Sequence, residues 1–278
     1  MFVPVEKRDC CYKDFILIYP AVSVGNVAQL TADLLISTLT MHRAGYIQHP
    51  SIIPLVGGDP FAHPEATNCK IVSCCEVYES QEHKVVIIQQ RSPFVQGKRG
   101  LFRKWLVQWI KENQFSRVVI ATSSSAEERL DTQLQGPQFR FVASPQIEKM
   151  FGDMFRNFYE WEELEKRQSF PAPSMLEAGE DKGGELYIPG GGVAKTLFED
   201  LYEDVPTAIC LMFCAEGDNV VEAVELANRL NRWLGLILFH SRSIGGADEE
   251  AVVKYTKWKI PVSWKLFYGS KFDQTLYH

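Results

Sequence analysis

The chain contains no apolar run approaching 18 residues, so nothing in it reads as a membrane span. It also lacks an excess of positive charge: 29 Lys and Arg stand against 35 Asp and Glu, a formal net charge of −6. A nucleic-acid binder usually shows a basic stripe. Here the longest basic cluster is Lys98-Arg99 with Arg103-Lys104, which reads as the start and solvated face of a helix. There is no C-x-x-C pair among the seven cysteines. Cys10-Cys11 and Cys74-Cys75 are merely adjacent, and neighbours on a strand point to opposite faces, so Cys74 and Cys75 cannot share a metal there. Cys210 and Cys214 could share a strand face, but no histidine stands near them. Buried, reduced thiols in a cytosolic protein are the expectation. The six histidines (42, 49, 63, 83, 240 and 278) fall at no metal-ligand spacing. No repeat is visible. Lys7-Arg8 ahead of Phe15–Val24 has the outline of a signal peptide, but Asp9, Asp14 and Pro20 interrupt it, and the segment is read as a first strand.

What is present is apolar material in two periods. Phe15–Tyr19, Ile52–Val56, Ile71–Tyr78, Lys84–Gln90, Arg117–Thr122, Phe139–Val142 and Thr207–Phe213 read as strands. Residues 26–42 read as an amphipathic helix capped by Asn26, with Gly45 as its stop. Further helices are expected around Leu101–Ile110, over 146–166 with Met150, Met154, Phe155 and Phe158 on one face, from the Gly-rich turn through Tyr202, and over 219–236. Ser241–Glu250 reads as a polar insertion. Strands alternate with helices and several strands are unbroken apolar runs, which predicts an α/β fold with a central mixed or parallel sheet covered on both faces. The 278 residues read as a single domain, 1–278, with a flexible loop near 168–185 and an exposed C-terminal tail over 270–278.

Two segments contain residue types that chemistry could use. Pro189-Gly190-Gly191-Gly192-Val193-Ala194-Lys195-Thr196 ends Lys-Thr like a phosphate-binding loop, but that loop needs Gly immediately before the Lys and another five residues earlier, where Ala194 and Pro189 stand. A structural turn with φ > 0 positions is the expectation. Ser123-Ser124-Ser125 follows a strand, where α/β proteins keep ligand sites, but it lacks the G-x-S-x-G elbow and any nearby His, and reads as a helix cap. No catalytic, metal or cofactor residues are assigned.

The chain ends Leu276-Tyr277-His278, a hydrophobic–Tyr–any tripeptide. An apolar side chain, a phenol and a terminal carboxylate make a compact handle for a pocket bearing a Lys.

Several segments together resemble the PAC2 family of proteasome assembly chaperones. They are Pro20–Val27 with Gln29-Leu30 and Asp33–Leu39, Ile188–Gly192 with Lys195–Leu197, and Glu216–Asn219. Trp258–Pro261, Ser263-Trp264 and Phe267–Gly269 are similar too, as are Arg91-Ser92 and Ser123–Ser125. The resemblance spans nearly the whole chain. It implies a nucleoside-phosphorylase-like topology without enzymatic activity or cofactor, in the cytoplasm and nucleus. It also implies a heterodimer with proteasome assembly chaperone 1, bound to proteasome α-subunits, which promotes α-ring assembly and prevents ring-on-ring dimerisation. Leu276, Tyr277 and His278 would be the partner-binding residues, docking in an inter-subunit pocket. The rival readings are an enzyme on the same phosphorylase-like fold and a nucleotide-regulated scaffold using the Gly190–Lys195 loop.

Overall fold

Four strands carry the centre because their sequences are apolar on both faces. β1 (Phe2–Pro4) is followed by β2 (Ile16–Pro20), α1 (Val27–Thr38), β3 (His42–Ile47), β4 (Val56–Gly58), β5 (Ile71–Ser73), β6 (Cys75–Ser80) and β7 (Val85–Gln90). Then come α2 (Arg99–Asn113), β8 (Arg117–Ser125), β9 (Phe139–Ala143), α3 (Pro145–Asp153), α4 (Ala194–Leu201), β10 (Thr207–Cys214), α5 (Val220–Leu234), β11 (His240–Ile244) and β12 (Ala251–Tyr255). The computed structural model describes residues 1–6, 12–62, 70–167, 185–237, 240–244, 251–255 and 258–266.

Eight strands form one sheet in the order β1-β3-β6-β7-β2-β8-β10-β9. The pairs β7–β2, β2–β8 and β8–β10 are parallel, while β1–β3, β3–β6, β6–β7 and β10–β9 are antiparallel. The expected mixed, covered sheet is therefore what the chain forms. Alternation along the central strands feeds two cores. Ile16, Ile18, Val85, Ile87, Cys210 and Met212 pack on the side of α1, α3 and α5. Leu17, Tyr19, Val86, Ile88, Ile209 and Leu211 pack on the side of α2 and α4. Burial of each such side chain contributes about 1.5–3 kcal/mol.

Several local expectations are corrected. β1 was not anticipated, being three residues long and held only as an edge. Residues 52–56 do not form a strand: Ile52 makes an isolated bridge to Phe94, and β4 starts at Val56. α1 ends at Thr38, and Asn26 is left-handed (φ 54°) with no side-chain cap. Gly45 stops no helix; it lies in β3, where a Cβ would come 2.5 Å from both Phe2 and the Val3 carbonyl oxygen. Ser123–Ser125 continue β8, and Ser125 stands at the N-cap position of a 3-10 turn over Ala126–Glu128 without a side-chain cap bond. The segment expected to be polar after Ser241 contributes to a β11–β12 hairpin.

The helix expected over 146–166 ends early. α3 passes into a π turn at Met154–Phe158, and Tyr159 N–H donates to the Met154 carbonyl (3.0 Å). This inserts one residue into the periodicity, so the predicted face splits. Phe155 is fully buried and Tyr159 is 8% exposed, whereas Phe158 is 71% exposed. The chain then extends along the outer edge of β9, with Phe141 N–H to the Glu162 carbonyl (3.1 Å) and Leu164 N–H to the Phe141 carbonyl (2.8 Å).

Candidate functional site

The C-terminal ends of parallel strands are where an open α/β sheet offers space to a ligand. In this protein the ends of β2, β8 and β10 are covered by the chain's own loops. The turn after β2 brings Ser23 and Val24 over β8. Ser23 Oγ and Ser123 Oγ lie 2.7 Å apart, Ser123 N–H donates to Ser23 Oγ (3.1 Å), and Ser123 Oγ also reaches the Val24 carbonyl. The Gly-rich loop closes from the other side. Thr122 Oγ1 donates to the Gly191 carbonyl (3.1 Å), Ser124 Oγ to the Pro189 carbonyl (2.8 Å), and Val24 N–H to the Gly190 carbonyl (3.1 Å). From β10, Cys214 Sγ points at the Val24 carbonyl (3.4 Å).

Close approach explains the glycines. Gly190 and Gly192 have φ of 73° and 66°. A Cβ on Gly192 would lie 2.3 Å from the Val22 carbonyl oxygen, a backbone atom that cannot move aside cheaply. The expected positive φ holds for those two glycines and not for Gly191 between them. For Gly191 the constraint is the Ile188 side chain, 2.3 Å from where a Cβ would stand. Gly25 (φ 65°) meets Asn219, whose Nδ2 would lie 2.4 Å from a Cβ and donates to the Ala215 (3.0 Å) and Gly217 (3.1 Å) carbonyls. Residues 22–26, 122–124, 188–192 and 214–219, far apart in sequence, thus meet at one place.

No side chain in this cluster is arranged for chemistry. Each hydroxyl is engaged by backbone or by another hydroxyl, and no base faces it. Lys195, the residue that would reach a phosphate, pairs with Glu185 and approaches Glu199 (3.9 Å). The Cys210 and Cys214 thiols are pushed up by burial, which suits inert sulfur rather than a nucleophile. A serine–histidine contact occurs elsewhere, Ser80 Oγ to His83 Nδ1 (2.9 Å), but it spans three residues of the β6–β7 turn. Among the described residues no group of three or more His, Cys, Asp or Glu could hold a metal ion.

Beside this cluster, at the end of β7, lies a buried ionic pair. Arg91 donates to both Asp33 oxygens (2.7 and 3.2 Å), and Gln89 Nε2 donates to Asp33 Oδ1 (2.8 Å). Burial lowers the affinity of Arg91 for its proton, but Asp33 more than offsets this and holds the guanidinium above its ordinary value. A second buried carboxylate, Glu76, accepts from Arg43 (2.9 Å), Ser73 N–H (3.1 Å) and Tyr78 (2.7 Å). Burial and the neighbouring Glu76 both raise the Tyr78 phenol. Arg43 lines two clefts of about 430 and 460 Å³ at the corner of α1 and β3, which share His42, Arg43 and Lys70, and Tyr78 lines the first of them. With Glu76 saturated by three donors, no general base faces the clefts from that carboxylate. Sequence reasoning matched Asp33 and Arg91 to the family separately and missed that they pair, since nothing in a linear spacing of 58 residues marks it.

Leu276, Tyr277 and His278, the predicted partner-binding residues, lie outside the described residues. So do the 168–185 loop, apart from Glu185, and the 270–278 tail.

The model of the PAC2 family matches residues 17–241, and that span contains all four segments that converge on the strand ends. The chain belongs to the PAC2 family. It is 41% identical over 278 residues to a Danio rerio protein named Proteasome assembly chaperone 2, covering 100% of each chain. It is 35% identical to the Homo sapiens protein of that name, again covering 100% of each. Among solved structures it is similar to Pyrococcus furiosus PbaB, an archaeal proteasome activator (TM-score 0.58, 14% identity, 86% of this chain and 90% of that one). P. furiosus PbaA, an archaeal homolog of proteasome-assembly chaperone, gives a TM-score of 0.56 at 16% identity, covering 81% and 83%. At such identities the two structures speak for the PAC2 fold alone.

Proposed function

We propose that this PAC2-family chain is a non-enzymatic chaperone of proteasome assembly. It pairs with proteasome assembly chaperone 1, and the heterodimer holds proteasome α-subunits during α-ring assembly and blocks ring-on-ring dimerisation. The observation that carries this reading is identity of 34–41% over the full 278 residues to vertebrate proteins named Proteasome assembly chaperone 2. The engagement of the Thr122, Ser123 and Ser124 hydroxyls by the chain's own loops at the end of β8 is consistent with it.

Within this reading the last three residues are the anchor on the α-ring. The His278 carboxylate meets a pocket Lys, Tyr277 packs at the rim, and Leu276 fills the apolar part. The chain co-expressed with assembly chaperone 1 should give a 1:1 complex by native mass spectrometry. Its α-ring affinity should fall by about 2 kcal/mol with Tyr277→Ala, a typical hot-spot loss. One residue added after His278 should do similar harm by displacing the carboxylate, while leaving the heterodimer intact. Equal α-ring affinities for wild type, Tyr277→Ala and the extended chain would remove the tail from the mechanism.

A further inference from the structure

Seven arginines among the described residues form an ion pair with a carboxylate. Arg129 donates instead to the Ala126 carbonyl (3.0 Å) and to Gln138 (3.1 Å), while Arg99 and Arg232 are exposed. Arg117 differs from all of these. It is partly buried, yet no described residue accepts a hydrogen bond from it or pairs with its charge. Burial lowers its affinity for the proton and no neighbouring carboxylate raises it again, whereas Glu162 opposes the same effect at Arg140. The guanidinium nonetheless stays charged at neutral pH.

Arg117 opens β8 and stands beside Ile16 of β2, on the sheet face covered by α3 and α5. Its guanidinium carbon lies 5.0 Å from the centre of the Phe151 ring and 5.7 Å from that of Trp233. These two rings meet edge to face at 5.7 Å and 74°, and the guanidinium rests against both. Aromatic faces attract a cation, and the last turn of α5, where Trp233 stands, carries partial negative charge. Both offset part of the cost of burial, but neither takes up a guanidinium N–H. Nε is buried without an acceptor, as is the Trp233 indole N–H, while the two terminal nitrogens are not sealed off. What stays open is the planar fork that matches the two oxygens of a carboxylate.

One guanidinium does little for a free anion, since a single ion pair in contact with water adds hardly any affinity. Carried on a protein, the same carboxylate is delivered by the rest of the contact. An arginine already held by aromatic rings also loses little freedom when it pairs. Arginine and aromatic residues are where interface energy concentrates.

We propose that Arg117, held against Phe151 and Trp233, is a carboxylate-binding site that receives an acidic side chain of a partner protein. Resting on the function proposed above, the partners to test are assembly chaperone 1 and the α-ring. Each is titrated by calorimetry into wild type, Arg117→Met, Arg117→Lys and Arg99→Met, the last removing an exposed arginine of α2 as a control for net charge. Citrate and phosphate are titrated as free anions, and the melting temperature of each variant is measured alone. Arg117→Met keeps the apolar stem and removes a charge that nothing neutralises, so it should melt at or above wild type. It should weaken binding of one partner at least tenfold. Arg117→Lys should retain part of that affinity and Arg99→Met all of it. Wild-type affinity for both partners in Arg117→Met overturns the site and leaves the function standing. Melting of Arg117→Met well below wild type overturns it as well, by making Arg117 a structural residue. Saturable binding of citrate or phosphate that Arg117→Met abolishes overturns the protein source in favour of a free anion. A wild type that binds neither partner removes the proposed function, and this contact with it.

Discussion

The ends of the parallel strands and the outer edge beyond β9 treat their side chains in opposite ways. At the strand ends most polar groups are drawn inside and paired, Ser123 with Ser23 and Val24, Thr122 with Gly191, Asp33 with Arg91, while Tyr19 Oη, Gln89 Oε1, Gln90 Oε1 and Arg91 Nε are buried without a partner. Beyond β9, apolar groups are turned outward, with Phe158 the clearest case. The contrast sets a packed, mostly paired interior against a partly uncovered edge.

Substitutions at the strand ends should therefore act on stability. The largest effect is expected from Asp33→Ala, which leaves the largely buried Arg91 guanidinium without its carboxylate. A loss of about 3–5 kcal/mol is expected in urea unfolding. A loss under about 1 kcal/mol would mean that Arg91 escapes to solvent and that the strand ends are looser than argued. Next comes Gly192→Ala, which forces a Cβ into the left-handed region and against the Val22 carbonyl oxygen. It should cost roughly 2–3 kcal/mol. Gly191→Ala should cost less, because Gly191 does not have a positive φ and its nearest contact is the Ile188 side chain rather than backbone.

Lys195→Ala sharpens the comparison from the other direction. It removes only ion pairs with the exposed Glu185 and Glu199, so unfolding should be nearly unchanged. Nucleotide titrated into the wild type should give no saturable heat. Micromolar binding abolished by Lys195→Ala would turn the Gly-rich loop into a ligand site and reverse the argument. The smallest effect concerns His49, which burial, with the nearby N-terminal amine, holds below its usual 6.5. The unfolded chain takes up this proton first, so His49 makes the fold lose stability as pH falls through 6.5 toward the lower folded value. His49→Gln should flatten that part of the stability–pH curve. An unchanged slope would assign it to other groups.

Much of the architecture was legible because burial leaves a period. Val85–Gln90 and Thr207–Cys214 are apolar on both faces, and only a covered strand tolerates that. α2 and α5 likewise show their stripes. Short or edge elements left no such mark. β1 pairs through three residues, and the failure over 52–56 shows that an apolar run without a partner strand is not a strand. The Gly-rich loop was read as structural because its spacing fails the phosphate-loop pattern, and Lys195 pairing with Glu185 agrees. Its φ > 0 positions proved to be Gly190 and Gly192 rather than Gly191.

By itself, the sequence determined the alternation of strands and helices, the doubly covered sheet, the absence of a recognisable catalytic pattern and the kinship with PAC2 proteins. Each of these rests on local periodicity or on contiguous residues. Only the tertiary structure decided that Ser23, Ser123, Gly191 and Asn219 meet at one place, and that Asp33 pairs with Arg91. It also decided that Phe158, placed on the core face by periodicity, turns outward. Those outcomes depend on strand order and on a single inserted residue in a helical turn, and neither is encoded in the spacing of side chains along the chain.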